Sequence, residues 1–177
     1  MLKLVDANKK YLGQYKEAYE LSLKHIKLGN IKKHDLMFED IKEVDVVKKC
    51  LDHRDETKLK PGYVPSYDYF LVEGDNFIGV IHIRIRLTDK LLKYGGHIGY
   101  GINPKYWKKG YGSKLLSLGI EKAKELGIKD RILVTCDDDN IGSSKVIENN
   151  GGILENKVEN EDGDETFLTR RYWINIE

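Results

Sequence analysis

A short strand followed by a glycine-containing loop and an amphipathic helix constrains this chain more than any other feature. The strand is predicted over about His97–Ile102, ended by Asn103-Pro104, and the helix over Tyr111–Leu126. Gly110 and Gly112 stand at the start of that helix. Glycines there allow successive backbone N–H groups to point into one concavity at the positive end of the helix. The segment therefore favours an α/β fold with an anion site, which suits a diphosphate.

Lysines surround this loop, at Lys105, Lys108 and Lys109. Their charge favours a diphosphate, but a glycine turn with solvated lysines explains the same residues, because short glycine loops are weak signals. Two other phosphate motifs are excluded. A P-loop needs Gly-Lys-[Ser/Thr], whereas the order here is Gly112-Ser113-Lys114, and a dinucleotide fingerprint needs a third glycine where Leu115 stands.

The rest of the chain mixes helices and strands. Apolar spacing predicts helices over about Leu12–Leu28 and Ile41–Leu51, and a short helix from near Asn140 to Glu148. Strands are predicted at Met1–Val5, Tyr67–Glu73, Phe77–Leu87, Arg131–Cys136, Ile153–Val158 and Thr166–Ile176. Short turns separate the second strand from the third and the last two from each other, so two hairpins are expected. The order of elements is that of an α/β (α+β) protein.

Composition narrows the class of protein further. The 177 residues suit one domain, and no repeat or low-complexity linker divides residues 1–177. The 30 basic and 29 acidic residues nearly cancel, so neither a nucleic acid nor a membrane surface is expected as a partner. No apolar run is long enough to span a bilayer, and the first residues lack a signal peptide's apolar stretch. Cys50 and Cys136 stand apart without metal or redox spacing, which predicts a reduced, cytoplasmic protein.

The strand–loop–helix segment and a second segment further along the chain resemble two motifs of the GNAT acetyltransferases, in the same order. The first ends in Trp107–Gly112 and is similar to the family loop Arg/Gln-x-x-Gly-x-Gly/Ala, with Trp107 as a departure at its first position. Similar Trp-containing loops occur in the branch of ribosomal-protein N-terminal acetyltransferases. The second, Asn140–Gly151, is similar to Asn-x-x-Ala-x-x-Leu-Tyr-Glu-x-x-Gly. The resemblance implies a single GNAT-type domain with a mixed, mostly antiparallel central sheet and helices on both faces.

The resemblance also implies a reaction and a set of binding residues. The reaction would be direct transfer of an acetyl group from acetyl-CoA to a primary amine, without a metal. The backbone of Gly101 and Ile102 would pair with the pantetheine arm, and Asn140 would hydrogen-bond near it, although Asn140 also fits a plain helix N-cap. The diphosphate would lie on Lys108, Lys109, Gly110, Tyr111, Gly112 and Ser113.

The position of the general acid departs from the family pattern. Many relatives carry a tyrosine that protonates the departing CoA thiolate, and Ile147 stands at that position. Ser143, one helical turn after Asn140, is the next candidate for a group beside the sulfur. Its alternative is a polar residue in the first turn of a helix. A thiol with a pKa near 8.5 leaves tolerably without an acid, so activity does not require one.

His97 is the candidate base for the acceptor amine. The resemblance implies a Glu or His on this strand, and a histidine titrates near neutrality. The alternative is that His97 packs against the sheet, because side chains alternate along a strand and its side chain can point away from the acceptor. If so, the base is expected among the carboxylates of the N-terminal half, Glu73 included.

Two further function classes stay open at this stage. The isoleucine at 147 allows a GNAT-like domain that binds an acyl-CoA as a sensor without turnover. A calcium loop over Asp137–Glu148 is weaker, because Ile141 stands where an oxygen ligand is required. The acceptor is expected to be a small-molecule amine or a peptide N-terminus, and the sequence leaves its identity and the formation of a homodimer open.

Overall fold

The computed structural model of the protein describes residues 1–163 and 165–176, the side chain of Asp162 excepted. Seven strands form one sheet in the order β1-β2-β3-β4-β5-β7-β6. Their bounds are Leu2–Asp6 (β1), Ser66–Glu73 (β2), Asn76–Arg84 (β3), Ile98–Ile102 (β4), Arg131–Asp137 (β5), Ile153–Asp162 (β6) and Glu165–Asn175 (β7). All neighbouring strands described are antiparallel except β4 and β5, which are parallel. The mixed, mostly antiparallel sheet predicted from the sequence is confirmed.

The parallel strands β4 and β5 are paired over a shorter length than any other neighbouring strands described. β4 and β5 share a single aligned pair, Ile98 with Val134, whereas β3 and β4 are aligned along the whole of β4. The two parallel strands therefore diverge after Ile98 and Val134, and a cleft opens between their C-terminal halves. We call this cleft the β4–β5 gap.

Helices cover both faces of the sheet. They span Leu12–Lys27 (α1), Val46–Asp52 (α2), Asp89–Lys93 (α3), Tyr111–Glu125 (α4) and Ile141–Asn149 (α5). On one face α4 and α5 pack on a core that includes Ile81, Ile98 and Cys136. On the other face α1 and α2 pack on an aromatic core that includes Phe70 and Phe77. Alternation along each strand supplies both cores, because successive side chains point to opposite faces.

Most predicted elements are confirmed, and the second helix is the clearest correction. It was expected over Ile41–Leu51, but helical structure begins only at Val46, where the Asp45 side chain accepts a hydrogen bond from Lys48 N–H. Ile41 and Val44 instead lie in a turn packed against the aromatic core. The capping carboxylate competes with the apolar spacing and moves the start of the helix.

Smaller differences concern strand ends. β3 stops at Arg84 rather than Leu87, and His97 precedes β4 rather than opening it. The C-terminal hairpin is confirmed with longer strands, although residue 164 of its turn lies outside the described residues. Over the described part of the chain, no helix has both the length and the apolar character needed to cross a bilayer.

Candidate active site

The β4–β5 gap exposes backbone hydrogen-bonding groups. The N–H of Asn103 donates to the Ile78 carbonyl, and the carbonyl of His97 accepts from Arg84 N–H. Odd-numbered residues of β4 therefore bond to β3, because hydrogen-bonding direction alternates along a strand. The backbone groups of Tyr100 and Ile102 consequently face the gap.

Of the two residues predicted to pair with a pantetheine arm, only Ile102 presents its backbone to the gap. The backbone of Gly101 faces β3, where it is aligned with Val80. Gly101 has a different structural reason to be glycine, since a Cβ there would lie 2.6 Å from the Met37 Cβ. Met37 also approaches Gly99, so the segment before α2 lies over this face of β4.

The loop between β4 and α4 has the form of an anion cradle. Gly110 precedes α4 in the left-handed conformation, with φ +80°, and Lys108 also has a positive φ of 58°. The first three N–H groups of α4, those of Tyr111, Gly112 and Ser113, have no acceptor within the helix, as at any helix start. Nothing lies within 4 Å of a Cβ built on Gly110. The cradle is open on this side, and the positive helix end adds to the lysine charge around it.

Trp107 anchors this loop. Its indole Nε1–H donates to the Ile102 carbonyl at 2.8 Å, and its ring lies 4.5 Å from the His25 ring of α1. The indole thus fixes the loop to the end of β4 and to the opposite layer of the protein. This role explains why an aromatic residue can stand at the position where the family carries Arg or Gln.

Close packing fixes α4 against α5. A Cβ on Gly112 would lie 3.0 Å from Val146 Cγ2, so the glycine allows the two helices to approach. Asn150 Nδ2 donates to the Ser113 carbonyl at 3.1 Å and to the Val146 carbonyl at 2.9 Å. The start of α4 and the whole of α5 therefore form one rigid wall of the site.

The start of α5 brings three polar side chains together at the gap. Asn140 is the N-cap, and its Oδ1 accepts from Ser143 N–H at 3.0 Å, which confirms the capping alternative and leaves its amide N–H groups available. Ser143 Oγ lies 2.9 Å from the Tyr100 hydroxyl. Burial raises the pKa of the Cys136 thiol to about 12. Ser143 thus sits between β4 and β5 on the α4–α5 face.

Ile147 is fully buried in the core beneath α5. A side chain at this position points into the hydrophobic core and away from the polar cluster at Ser143. The absence of an acid at 147 is therefore a packing feature of this chain, and Ser143 with Tyr100 supplies the hydroxyl groups at the gap. Tyr100 was missed as a site residue, although alternation along its strand could have indicated it.

The structure does not bring His97 to this cluster. Its Nδ1 accepts the backbone N–H of Leu133 at 2.9 Å, where β4 and β5 are still joined, and its ring contacts Trp173. Burial and the nearby Arg84 charge lower the pKa of His97 to about 4. Three residues along a strand separate it from Tyr100 by about 10 Å. With its lone pair occupied, His97 is a structural residue in this geometry and is not suited to be the base.

Two histidine–carboxylate clusters lie on the other face of the sheet. In the first, His34 Nε2 lies 2.7 Å from Asp137 Oδ2, which also accepts from Lys32 Nζ at 3.0 Å. In the second, the buried Asp68 bonds His53 and His82 at 2.5 and 2.6 Å. Neither cluster was predicted, because their members are far apart in sequence and form no motif.

The carboxylates of the possible calcium loop over Asp137–Glu148 bond other residues of the protein. Asp138 bonds Arg170 and Lys157, and Glu148 accepts from the Tyr172 hydroxyl. These carboxylates already have partners within the protein, which disfavours the calcium interpretation. The ligand atoms of His34, Asp35 and Asp137 do lie within 4.8 Å of one another, but the Lys32 ammonium already occupies Asp137.

Residues 37–153 match the family model described as acetyltransferase (GNAT) domain. That is 117 of the 177 residues. The match runs from the segment before α2 to the start of β6 and contains the β4–β5 gap, the α4 cradle and α5. Among curated protein sequences, none matches the chain at a significant level.

Solved structures share this fold. The microcin C7 self immunity acetyltransferase MccE, in complex with acetyl-CoA and AMP, is 18% identical with a TM-score of 0.71, over 99% of this chain and 92% of that chain. An acetyltransferase from Salmonella typhimurium that modifies the N-terminal serine of ribosomal protein L7/L12 is 18% identical with a TM-score of 0.70, over 99% and 95%. A GNAT acetyltransferase from Bacillus anthracis is 21% identical with a TM-score of 0.70, over 98% and 94%.

Proposed function

The chain belongs to the GNAT acetyltransferase family, and we propose that it moves the acetyl group of acetyl-CoA, whose arm lies in the β4–β5 gap, directly onto a primary amine. The observation that carries the proposal is that the α4 cradle and the β4–β5 gap lie next to each other. The α4 cradle offers free backbone N–H groups to a diphosphate, and the gap beside it offers the backbone of Tyr100 and the N–H of Ile102 to an extended arm. An elongated thioester with a diphosphate fits both.

Within this proposal the chain's own residues have separate tasks. The N–H groups of residues 111–113 and the side chain of Lys108 bind the diphosphate, and the amide of Asn140 binds the arm near α5. Lys109 is partly engaged, since its Nζ donates to the Lys105 carbonyl at 3.2 Å. The bound acetyl-CoA supplies an activated thioester, and the protein orients it against the amine. Orientation of this kind accounts for a large part of enzymatic rate enhancement.

The transfer forms one bond and breaks another. The amine nitrogen bonds to the acetyl carbon as the carbon–sulfur bond breaks, the amine loses a proton, and the departing thiolate gains one. A backbone N–H facing the gap is suited to bind the carbonyl oxygen as negative charge develops on it. Because the amine attacks directly, no acetyl group is attached to the protein at any stage.

Ser143 is proposed to protonate or hydrogen-bond the departing sulfur. Burial raises the pKa of Tyr100, so its hydroxyl stays protonated and can donate to Ser143 Oγ. The Ser143 hydroxyl proton is then free to point toward the sulfur. Cys136 remains a buried thiol with a raised pKa and is therefore unsuited to be a nucleophile.

The acceptor class is a primary amine, either a small molecule or a peptide N-terminus. A peptide N-terminus is supported by the similar Salmonella typhimurium enzyme, which modifies an N-terminal serine. Cys50 and Cys136 are both free and buried, which supports a reducing compartment such as the cytoplasm. A homodimer stays a prediction that size-exclusion chromatography with light scattering would test.

Thiol release from acetyl-CoA, measured over a panel of amines and serine-initiated peptides, tests the proposed function. We expect release that depends on the amine, with an acetylated product detected by mass spectrometry. No release is expected without an amine, because direct transfer forms no acetyl-protein. Binding of CoA without release for any amine would instead support the sensor alternative. Acetyl-protein formed before amine addition would contradict direct transfer.

A further inference from the structure

A groove of about 970 Å³ lies on the face of the sheet opposite α4 and α5. Its walls come from α2, the segment before α2, β2 and β3, and they include Met37 and Val80. Met37 also lies against Gly99 and Gly101 of β4. Met37 therefore connects the wall of the groove with β4, on the side of the sheet away from Ser143.

The floor of the groove carries the buried carboxylate of Asp68, which is 1% exposed. Its Oδ1 lies 2.6 Å from His82 Nδ1 and accepts from Ser66 Oγ at 3.1 Å. Its Oδ2 lies 2.5 Å from His53 Nδ1. Burial alone would raise the pKa of Asp68, but the two imidazoles more than offset this and hold it well below its usual range. Asp68 is thus an ionised acceptor that fixes both rings.

A carboxylate at Nδ1 selects one tautomer of each imidazole. With Nδ1–H donating to Asp68, the proton-accepting lone pair of His82 is on Nε2. Among the described residues, His82 Nε2 has no hydrogen-bond partner. A histidine with one nitrogen bonded to a buried carboxylate and the other free is the arrangement that general bases use.

Of the two rings, His82 is the one on the strand next to β4. It is aligned with Gly99 on the neighbouring strand, which has no side chain of its own and is covered on this face by the Met37 side chain. Adjacent strands are about 4.8 Å apart, so His82 stands one strand away from the opening. His53, in contrast, follows α2, and its carbonyl accepts from Ser66 N–H, which ties the end of that helix to β2.

We propose that this groove binds the acceptor amine and that His82, held by Asp68, removes the proton of that amine, while His53 is structural. The proposal rests on the proposed function, since it assigns the base and the acceptor side of the same reaction. The proton passes from the ammonium of the acceptor to His82 Nε2 and from there to solvent. The amine lone pair that this releases forms the bond to the acetyl carbon.

The charges that line the groove differ along its length, and only the part next to the ionised Asp68 favours a cationic acceptor. Arg84, on the same strand, adds positive charge at one end, and Lys49 is paired with Glu39 at the other. Besides His82, the charged and titratable groups that line the groove are Glu39, Glu43, Asp45, Asp52, Asp68, Lys48, Lys49, Lys58, Lys60, Lys90, Arg84, His53, Cys50, Tyr15, Tyr63 and Tyr69. The ionised Asp68 is the negative group next to His82, so the ammonium is expected to lie there.

The test compares His82→Gln with the matched control His53→Gln, because both remove an imidazole from the same carboxylate. Glutamine can still donate a hydrogen bond to Asp68 and cannot act as a base. Rates of acetyl transfer to the best amine of the panel are measured from about pH 6 to pH 9, with acetyl-CoA affinity by calorimetry. A general base contributes roughly 10²–10⁴-fold, so His82→Gln is expected to lower kcat/KM by about 100-fold near pH 7. Its loss should shrink as pH rises and free amine becomes abundant.

His53→Gln is expected to keep the wild-type pH profile and to lower the melting temperature instead. Equal profiles for His82→Gln and the wild type, with acetyl-CoA binding intact, would overturn the proposal and leave the proposed function standing. A low-pH loss in His34→Gln but not in His82→Gln would overturn it as well and assign the base to the Asp137 cluster. An inactive wild type over the whole panel would instead remove the proposed function.

Discussion

The approach of α4 to α5 gives the sharpest stability prediction. In Gly112→Ala the new Cβ would lie 3.0 Å from Val146 Cγ2, against an ordinary contact of about 3.5–4.0 Å between carbons. One helix must therefore move by roughly half an ångström. Overpacking of this kind costs about 1–3 kcal/mol, while alanine gains up to about 1 kcal/mol of helix propensity over glycine. We expect a net loss of up to about 2 kcal/mol in the free energy of unfolding.

Removal of the Val146 methyl group that clashes should reverse the effect of Gly112→Ala on the free energy of unfolding. In a Val146→Ala background the space opposite Gly112 is open, so the same Gly112→Ala change is expected to stabilise the protein by a few tenths to about 1 kcal/mol. Urea unfolding of the wild type, the two single variants and the double variant gives the coupling energy directly. We expect a favourable coupling of about 1–3 kcal/mol. Additive effects, with the same change in both backgrounds, would refute the packing argument.

Three further predictions concern titrating and hydroxyl groups. Ser143→Ala should lower kcat by roughly 10–100-fold with acetyl-CoA affinity unchanged in calorimetry; wild-type turnover would mean that the thiolate leaves without this hydroxyl. His97→Ala should lower the free energy of unfolding by about 1–3 kcal/mol and leave the pH–rate profile unchanged, whereas a selective loss at low pH would restore it as the base. Burial and Asp137 raise the pKa of Asp35 to about 6, so ionisation of Asp35 destabilises the folded protein at higher pH. Asp35→Asn should therefore increase the free energy of unfolding by up to about 2 kcal/mol near pH 8 and leave it unchanged below about pH 4. An equal effect at both pH values would disprove this.

The conformation of the α4 cradle and the cap of α5 could be predicted from sequence because their parts are local. Gly110 and the first turn of α4 are consecutive residues, and their backbone conformation follows from the glycine and the helix start. Asn140 caps α5 three residues before the Ser143 N–H that it binds, which is again a local relation. A motif records such arrangements because the chain itself brings these residues together.

The two histidine–carboxylate clusters could not be predicted, because their members meet only in the folded protein. Asp68 and His82 are 14 residues apart and come together through strand register. His34 and Asp137 are 103 residues apart. His97 shows the converse error: its place in the sequence suggested a catalytic group, but the single-pair junction between β4 and β5 turns its lone pair to a backbone N–H. Pairing between strands decided the first and the last case, whereas His34 reaches Asp137 from the short 3₁₀ turn Lys33–Asp35.

The central claim is that the α4 cradle binds the CoA diphosphate, and calorimetric titration of acetyl-CoA into Gly110→Asp and Gly110→Asn tests it most directly. Both variants carry the same cost of a side chain at φ +80°, and the two side chains have nearly the same shape. Only Asp adds a negative charge where the diphosphate would lie. We predict an affinity at least about 10-fold weaker for Asp than for Asn, equivalent to about 1.4 kcal/mol, with similar melting temperatures. Equal affinity of the two folded variants for acetyl-CoA would contradict the account.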